Sequence, residues 1–212
     1  LLEQVREEQK QKSHLELMIM QSQIKPHFLY NTLGSIKALA DLKESQKASS
    51  MCESLIRFYR ISLSNGNSVI TVGMEMELVD NYLRILEYRY GEKFEYSFEI
   101  EKGLEHAKIP RMMLQPLVEN AVYHGLEKRT APGGMLWIQG EKEGKSLIFR
   151  ITDNGCGPDE EQLALLQATL ENKELLEQER RARKRIGLVN IQSRLKLMYG
   201  DAGGLTFGRK EG

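Results

Sequence analysis

Gln21-Ser22-Gln23-Ile24-Lys25-Pro26-His27-Phe28-Leu29-Tyr30-Asn31-Thr32-Leu33 lies inside a helical apolar pattern. Leu15, Ile19, Ser22, Pro26, Leu29, Leu33, Ile36 and Ala40 follow one another at steps of four and three. That is a heptad-like seam, and it predicts packing against a second helix or against the same helix of another copy. His27 is off the seam, and Asn31 lies one turn further along the same face. Pro26 removes one backbone hydrogen bond and predicts a kink immediately before the imidazole. From this helix alone, His27 reads as a surface histidine on the flank of a helical pair. A core role is disfavoured by its position. A metal-ligand role is disfavoured because no second ligand stands at suitable spacing.

Of 212 residues, 41% are hydrophobic and 28% charged, the balance of an ordinary globular chain of one large or two small domains. Lys plus Arg equals Asp plus Glu at 30 each, so there is no electrostatic case for nucleic acid, and no nucleic-acid partner is expected. Cys52 and Cys156 show neither zinc spacing nor a disulfide framework, which points to a reducing compartment. No apolar run reaches the ~18 residues of a membrane span, and no signal peptide is visible. Leu1 stands within a charged helical pattern that lacks an N-cap, so the chain is expected to be a fragment continuing from an upstream domain.

The first helix is expected to run from Leu1 to about Leu42 and a second from Met51 to Ser62, the latter ended by Asn65-Gly66-Asn67. In the second, Met51, Leu55, Phe58 and Ser62 form the stripe, with Ile56 and Tyr59 beside it. A two-helix hairpin has too small a core alone, so a homodimer forming a four-helix bundle is predicted. Met74 to Tyr90 reads as a helix with Leu78, Tyr82 and Ile85 on one side, and Phe94 to Ile100 as an alternating strand. A helix over Ile109 to Gly125, strands at Met135–Gly140 and Ser146–Thr152, helices over Asp159–Gln178 and Ile186–Tyr199, and a strand starting at Leu205 complete the pattern. Such mixing predicts an α+β fold, helices layered over a mostly antiparallel sheet.

Three segments in the second half carry possible chemistry. In Leu114-Gln115-Pro116-Leu117-Val118-Glu119-Asn120-Ala121-Val122-Tyr123-His124-Gly125, one face is apolar and the other presents Asn120, Tyr123 and His124. The pattern also suits a plain amphipathic helix, but an amide and an imidazole one turn apart can hold a hydrated magnesium ion and a phosphate. In Asp153-Asn154-Gly155-Cys156-Gly157, a carboxylate ends a strand before two alternate glycines. This reads either as a turn or as a site where backbone approaches a ligand closely. Gly187 opens the last helix, where backbone N–H groups can face a phosphate.

Pro26 to Asn31, Leu114 to Gly125, Asp153-x-Gly155-x-Gly157 and Gly187-Leu188-x-Asn190 together resemble the motifs of sensor histidine kinases of the LytS/YesM type, in that family's order. The resemblance covers about Leu15 to Phe207. It implies a helical dimerisation and phosphoacceptor domain over residues 1–70. It also implies an ATP-binding α/β sandwich of the gyrase, Hsp90 and kinase (GHKL) type over 71–212. By the same resemblance, His27 is the phosphoacceptor, Asn120 holds Mg2+ for ATP, Glu119 positions it or a water, and His124 faces the phosphates. Asp153 reads adenine, Gly155 and Gly157 shape the pocket, and Gly187 and Leu188 end the ATP lid. Asn31 is placed to influence dephosphorylation, and the basic stretch Arg180 to Arg185 to neutralise phosphate charge. Phosphoryl transfer asks for this kind of positioning and neutralisation more than for acid–base groups. The partner implied is a response-regulator receiver domain, and the location the cytoplasmic side of a membrane-anchored bacterial receptor. Three positions depart from the wider pattern: Phe28 replaces an acidic residue after the histidine, Arg185 replaces the first lid glycine, and a final Gly-Thr-rich strand is missing. Two other readings use the same residues: a dimeric relay with a degenerate nucleotide domain, and a GHKL-fold ATPase without phosphohistidine.

Overall fold

The computed structural model describes residues 26–63, 68–91, 93–181 and 186–209. The upstream half of the first predicted helix, the kink before His27, the Asn65-Gly66-Asn67 stop and Arg185 lie outside these residues. Two compact units emerge, Leu1–Asn65 with Asn81–Arg89, and Gly66–Asp80 with Tyr90–Gly212.

The first unit is built on α1 (Pro26–Asp41) and α2 (Ser45–Ser62). A short link joins them. Lys43 takes a left-handed conformation (φ 62°), and Glu44 N–H returns to the carbonyl of Leu39 at 2.9 Å, closing the end of α1. The stripe of α2 is buried as its period requires, with Met51, Leu55, Phe58 and Ser62 inside and Ile56 exposed. In α1 the buried positions are Phe28 and Thr32. The predicted seam lies one residue later, and its Leu33 is 48% exposed, so packing within the chain uses a face rotated by ~100° from it. Phe28 sets its ring 5.4 Å from Phe58 and 5.2 Å from Tyr82. Tyr82 comes from α3 (Val72–Tyr90), whose Tyr82, Leu83, Ile85 and Leu86 are all buried. Two of the buried hydroxyls here, those of Thr32 and Ser62, are satisfied locally. Thr32 donates to the carbonyl of Phe28 and Ser62 to that of Phe58.

The second unit has two sheets. In the small one, β1 (Val69–Thr71) pairs antiparallel with β3 (Lys108–Pro110). The larger runs β2 (Phe94–Ile100), β4 (Gly134–Glu143), β5 (Ser146–Asp153), with β2 parallel to β4 and β4 antiparallel to β5. Register puts Tyr96, Leu136 and Asp153 side by side, followed by Phe98, Ile138 and Ile151. These residues share one face of the sheet, and Leu136 and Ile138 in its middle are fully buried.

Four expectations are corrected. The second helix starts at Ser45 rather than Met51, and the helix predicted over 159–178 breaks at Asn172 into two. Residues 109–125 do not form one helix. Pro110 ends β3, and α4 covers only Gln115–Asn120, with Pro116 in its first turn, where a missing N–H costs nothing. A π-helical turn, Ala121–Leu126, continues it and packs against β4 and β5. Leu205–Phe207 is irregular rather than a strand. Leu205 N–H donates instead to the side chain of buried Gln192, and both Leu205 and Phe207 lie against a small apolar cluster. Three helices complete the unit: α5 (Glu160–Glu171), α6 (Lys173–Arg181) and α7 (Ile186–Tyr199).

Candidate functional site

Asp153 closes β5, and the backbone of Gly125 and Gly155 lies beside its carboxylate. Its Oδ1 accepts the Gly155 N–H at 2.9 Å, and among the described residues its other oxygen carries no hydrogen bond. A Cβ on Gly125 would collide with the Asp153 carboxylate, and a Cβ on Gly155 would collide with the Gly125 backbone. The π-helical turn and the end of β5 are therefore in backbone-to-backbone contact, joined by Cys156 N–H donating to the Gly125 carbonyl at 3.2 Å. Gly157 then turns the chain away at φ 60°. Burial raises the Asp153 pKa above the usual aspartate value, and the Gly155 N–H offsets this in part. The result is a partly desolvated carboxylate with acceptor capacity left over, beside backbone packed too closely for a side chain at Gly125 or Gly155. That suits a flat ligand bearing an amino group.

Asn120 is the last residue of α4, and His124 lies within the π-helical turn. There, Glu127 N–H reaches the Val122 carbonyl five residues back, at 2.8 Å. Turns of this kind are short and recur at functional sites. Asn120 is half-buried and His124 exposed, while Glu119, also half-buried, accepts from Gln115 Nε2 at 3.3 Å. An amide oxygen here fits one inner position on a magnesium ion that keeps most of its waters. Gly187 sits in the first turn of α7, where its Cβ would touch Pro116 at 3.4 Å. Leu188 is buried with Leu166 and Leu170.

Sequence reading missed a lock beside the carboxylate. Arg129 donates to the carbonyls of Asn154 (2.6 Å), Ala131 (3.1 Å) and Pro132 (3.3 Å). Asn154 in turn accepts from Met135 N–H at 2.7 Å and donates to the Gly133 carbonyl at 3.0 Å. Residues 129–135 are thereby tied to the segment after Asp153. An Asn directly after a strand-ending aspartate was the available signal.

His27 stands apart in the first unit, exposed on α1. Asn31 Nδ2 lies 3.1 Å from each ring nitrogen. An amide offers both donor and acceptor and so can pair with either tautomer of the neutral ring. The next residue is Phe28, and its burial between Phe58 and Tyr82 explains why an acidic side chain has no place there.

Helices over a mixed sheet, with an aspartate–glycine cradle at a strand end, define the ATP-binding layer of the gyrase, Hsp90 and kinase class. The chain belongs to the sensor histidine kinases of the LytS/YesM type. The model of the histidine kinase family matches residues 15–94, and that of the histidine kinase-, DNA gyrase B- and HSP90-like ATPases matches 105–211. The chain is 35% identical to the sensor histidine kinase YesM of Bacillus subtilis (strain 168) over 190 residues, 90% of this chain and 30% of that protein. It is 31% identical to the sensor protein LytS of Staphylococcus haemolyticus over 152 residues, 71% of this chain and 26% of that protein. To the sensor histidine kinase BtsS of Escherichia coli (strain K12) it is 33% identical over 139 residues, 66% of this chain and 24% of that protein. The chain thus spans about a quarter to a third of the length of these relatives. No helix among the described residues is long and apolar enough to cross a membrane.

Proposed function

We propose that this chain is the cytoplasmic catalytic part of a dimeric, membrane-anchored bacterial receptor. It takes the γ-phosphoryl group of ATP onto His27 and passes it to an aspartate of a response-regulator receiver domain. The observation that carries the reading is the Gly125–Asp153–Gly155 cradle, a desolvated carboxylate whose second oxygen is open to an amino group. In this reading Asp153 accepts from the adenine amino group, and Gly155 and Gly157 shape the pocket. Asn120 would hold Mg2+, which when bound neutralises phosphate charge, while Glu119 orients Asn120 or a water and His124 faces the phosphates. Gly187, Leu188 and the Arg180 to Arg185 stretch serve as the end of the lid.

A lone pair on a ring nitrogen of neutral His27 attacks the γ-phosphorus. The N–P bond forms as the bond from that phosphorus to the β–γ bridging oxygen breaks, and ADP leaves with those electrons. In the second step a carboxylate oxygen of the regulator attacks the same phosphorus and the N–P bond breaks. The exposure of His27 suits an acceptor that both donors and takers must reach, and Asn31 is placed to orient a water or the ring during dephosphorylation. The helical dimerisation domain is assigned to residues 1–70 and the ATP-binding domain to 71–212. The apolar positions of α1 left uncovered within the chain, Leu33 above all, support a homodimer.

The test is incubation with γ-labelled ATP and Mg2+. The parent should gain acid-labile, alkali-stable phosphate, and His27→Gln should gain none while binding Mg-ATP as the parent does. Label retained by the variant, or absent from the parent, would refute the assignment.

A further inference from the structure

Glu75 is a carboxylate in the wrong place for a surface helix. It lies on α3 three residues before Leu78, in line with the apolar stripe, and is fully buried. Its partners are backbone amides. Oε2 accepts Met112 N–H and Oε1 accepts Leu114 N–H, each at 2.8 Å. Burial raises the Glu75 pKa above the usual carboxylate value, and the amides of Leu114, Met112, Gln115 and Met113 offset this in part. Met112 to Leu114, with Arg111 before them, form the turn that launches α4, whose first residue is Gln115. Met112 holds a left-handed conformation (φ 54°) that a β-carbon disfavours, so something must fix it there. Leu114, at the cap position of α4, has no side-chain oxygen, and Pro116 has no N–H to cap. Glu75 therefore performs from another helix the capping that the sequence of α4 cannot provide for itself.

Arg194 of α7 closes the arrangement. Its Nη2 donates to the Arg111 carbonyl at 2.8 Å, and its charge interacts with that of Glu75. Burial of the guanidinium lowers its pKa, and Glu75 counters that shift. One buried carboxylate and one guanidinium thus grip the two ends of the 111–114 turn. The first helix to leave this turn carries Glu119 and Asn120, and Gly187 in the first turn of α7 lies against Pro116 of that same helix.

We propose that Glu75, seconded by Arg194, is a positioning residue for the nucleotide site, fixing the 111–114 turn so that α4 and its π-helical extension present Asn120 and His124 in register. This rests on the ATP-binding reading above. A carboxamide in place of the carboxylate turns a donor toward the buried amides, so Glu75→Gln should release the turn without emptying the core.

The experiment compares parent, Glu75→Gln and the control Val79→Ala, a fully buried α3 position whose loss destabilises by packing alone. Hydrogen exchange without nucleotide and calorimetric titration with Mg-ATP are both measured, each corrected to equal distance below the melting temperature. Glu75→Gln should speed exchange over 112–126 while leaving β4 and β5 protected, and should weaken Mg-ATP binding by about tenfold or more. Val79→Ala should do neither. If Glu75→Gln does not fold, Glu75→Asp is held to the same criteria. Mg-ATP affinity in the variant equal to that of the control, or unchanged exchange over 112–126, overturns the inference. A parent that binds no Mg-ATP overturns the nucleotide reading and this inference with it.

Discussion

Asp153 and His27 are the two groups on which the proposed reaction turns, and their surroundings differ in kind. Asp153 is held by a glycine on each side, partly desolvated, with Arg129 and Asn154 tying down the neighbouring connection. His27 is exposed, and its one described hydrogen-bonding neighbour, Asn31, is a single turn away on the same helix. On the proposed roles, order is concentrated where a ligand would be recognised. A binding carboxylate gains from being fixed and partly dried before the ligand arrives, because its interactions then need no reorganisation. A phosphoacceptor serves two partners in turn, and burial would bar one of them. What must be firm at His27 is the helix beneath it, and Phe28 supplies that by packing on Phe58 and Tyr82.

Three experiments bear on this contrast. The largest effect is expected from Gly155→Ala. The new methyl group would fall on the Gly125 backbone, which cannot yield as a flexible side chain would, so a loss of about 3 kcal/mol of stability and of Mg-ATP binding should follow. A variant melting like the parent would show that the two backbones are not locked together.

A matched pair within α1 comes next. Phe28→Ala removes a buried ring and should cost about 3 kcal/mol in chemical denaturation. Leu33→Ala, on the exposed seam, should change monomer stability by less than about 0.5 kcal/mol while weakening self-association in sedimentation equilibrium. Equal costs for the two would remove the distinction between the inward and outward faces of α1.

The smallest change in stability belongs to Asp153→Asn. The amide oxygen can still accept the Gly155 N–H, so the fold should be kept, while Mg-ATP affinity falls about tenfold. The pH dependence carries a sign. Because folding raises the Asp153 pKa, the native state holds its proton longer than the unfolded chain. Stability of the nucleotide-free parent therefore drops, relative to Asp153→Asn, as pH rises from the ordinary carboxylate value through the raised one, and the difference is constant above it. Parallel stability curves at all pH values would mean that Asp153 is not desolvated.

Much of this protein was decided locally, and there the amino-acid sequence is sufficient. Strict alternation from Phe94 to Ile100 makes β2, and the three–four stepping from Met51 to Ser62 makes α2, because a residue's burial follows from the period of its own backbone. The motif residues Asn120, Asp153 and Gly155 are legible for a related reason: amide, carboxylate and absent side chain each allow few roles. What the chain could not disclose by itself involves partners far apart in it. Glu75 bonds amides 37 and 39 residues away, and Arg194 bonds a carbonyl 83 residues away. The charge in the apolar stripe of α3 was visible, but not what would satisfy it. Likewise the period of α1 offers two adjacent apolar faces, and only Phe58 and Tyr82 determine that Phe28, not Leu29, turns inward. Hydrophobic period constrains a direction relative to one helix axis. Which groups meet in that direction is set by how separate elements pack, and that is decided only in the folded chain.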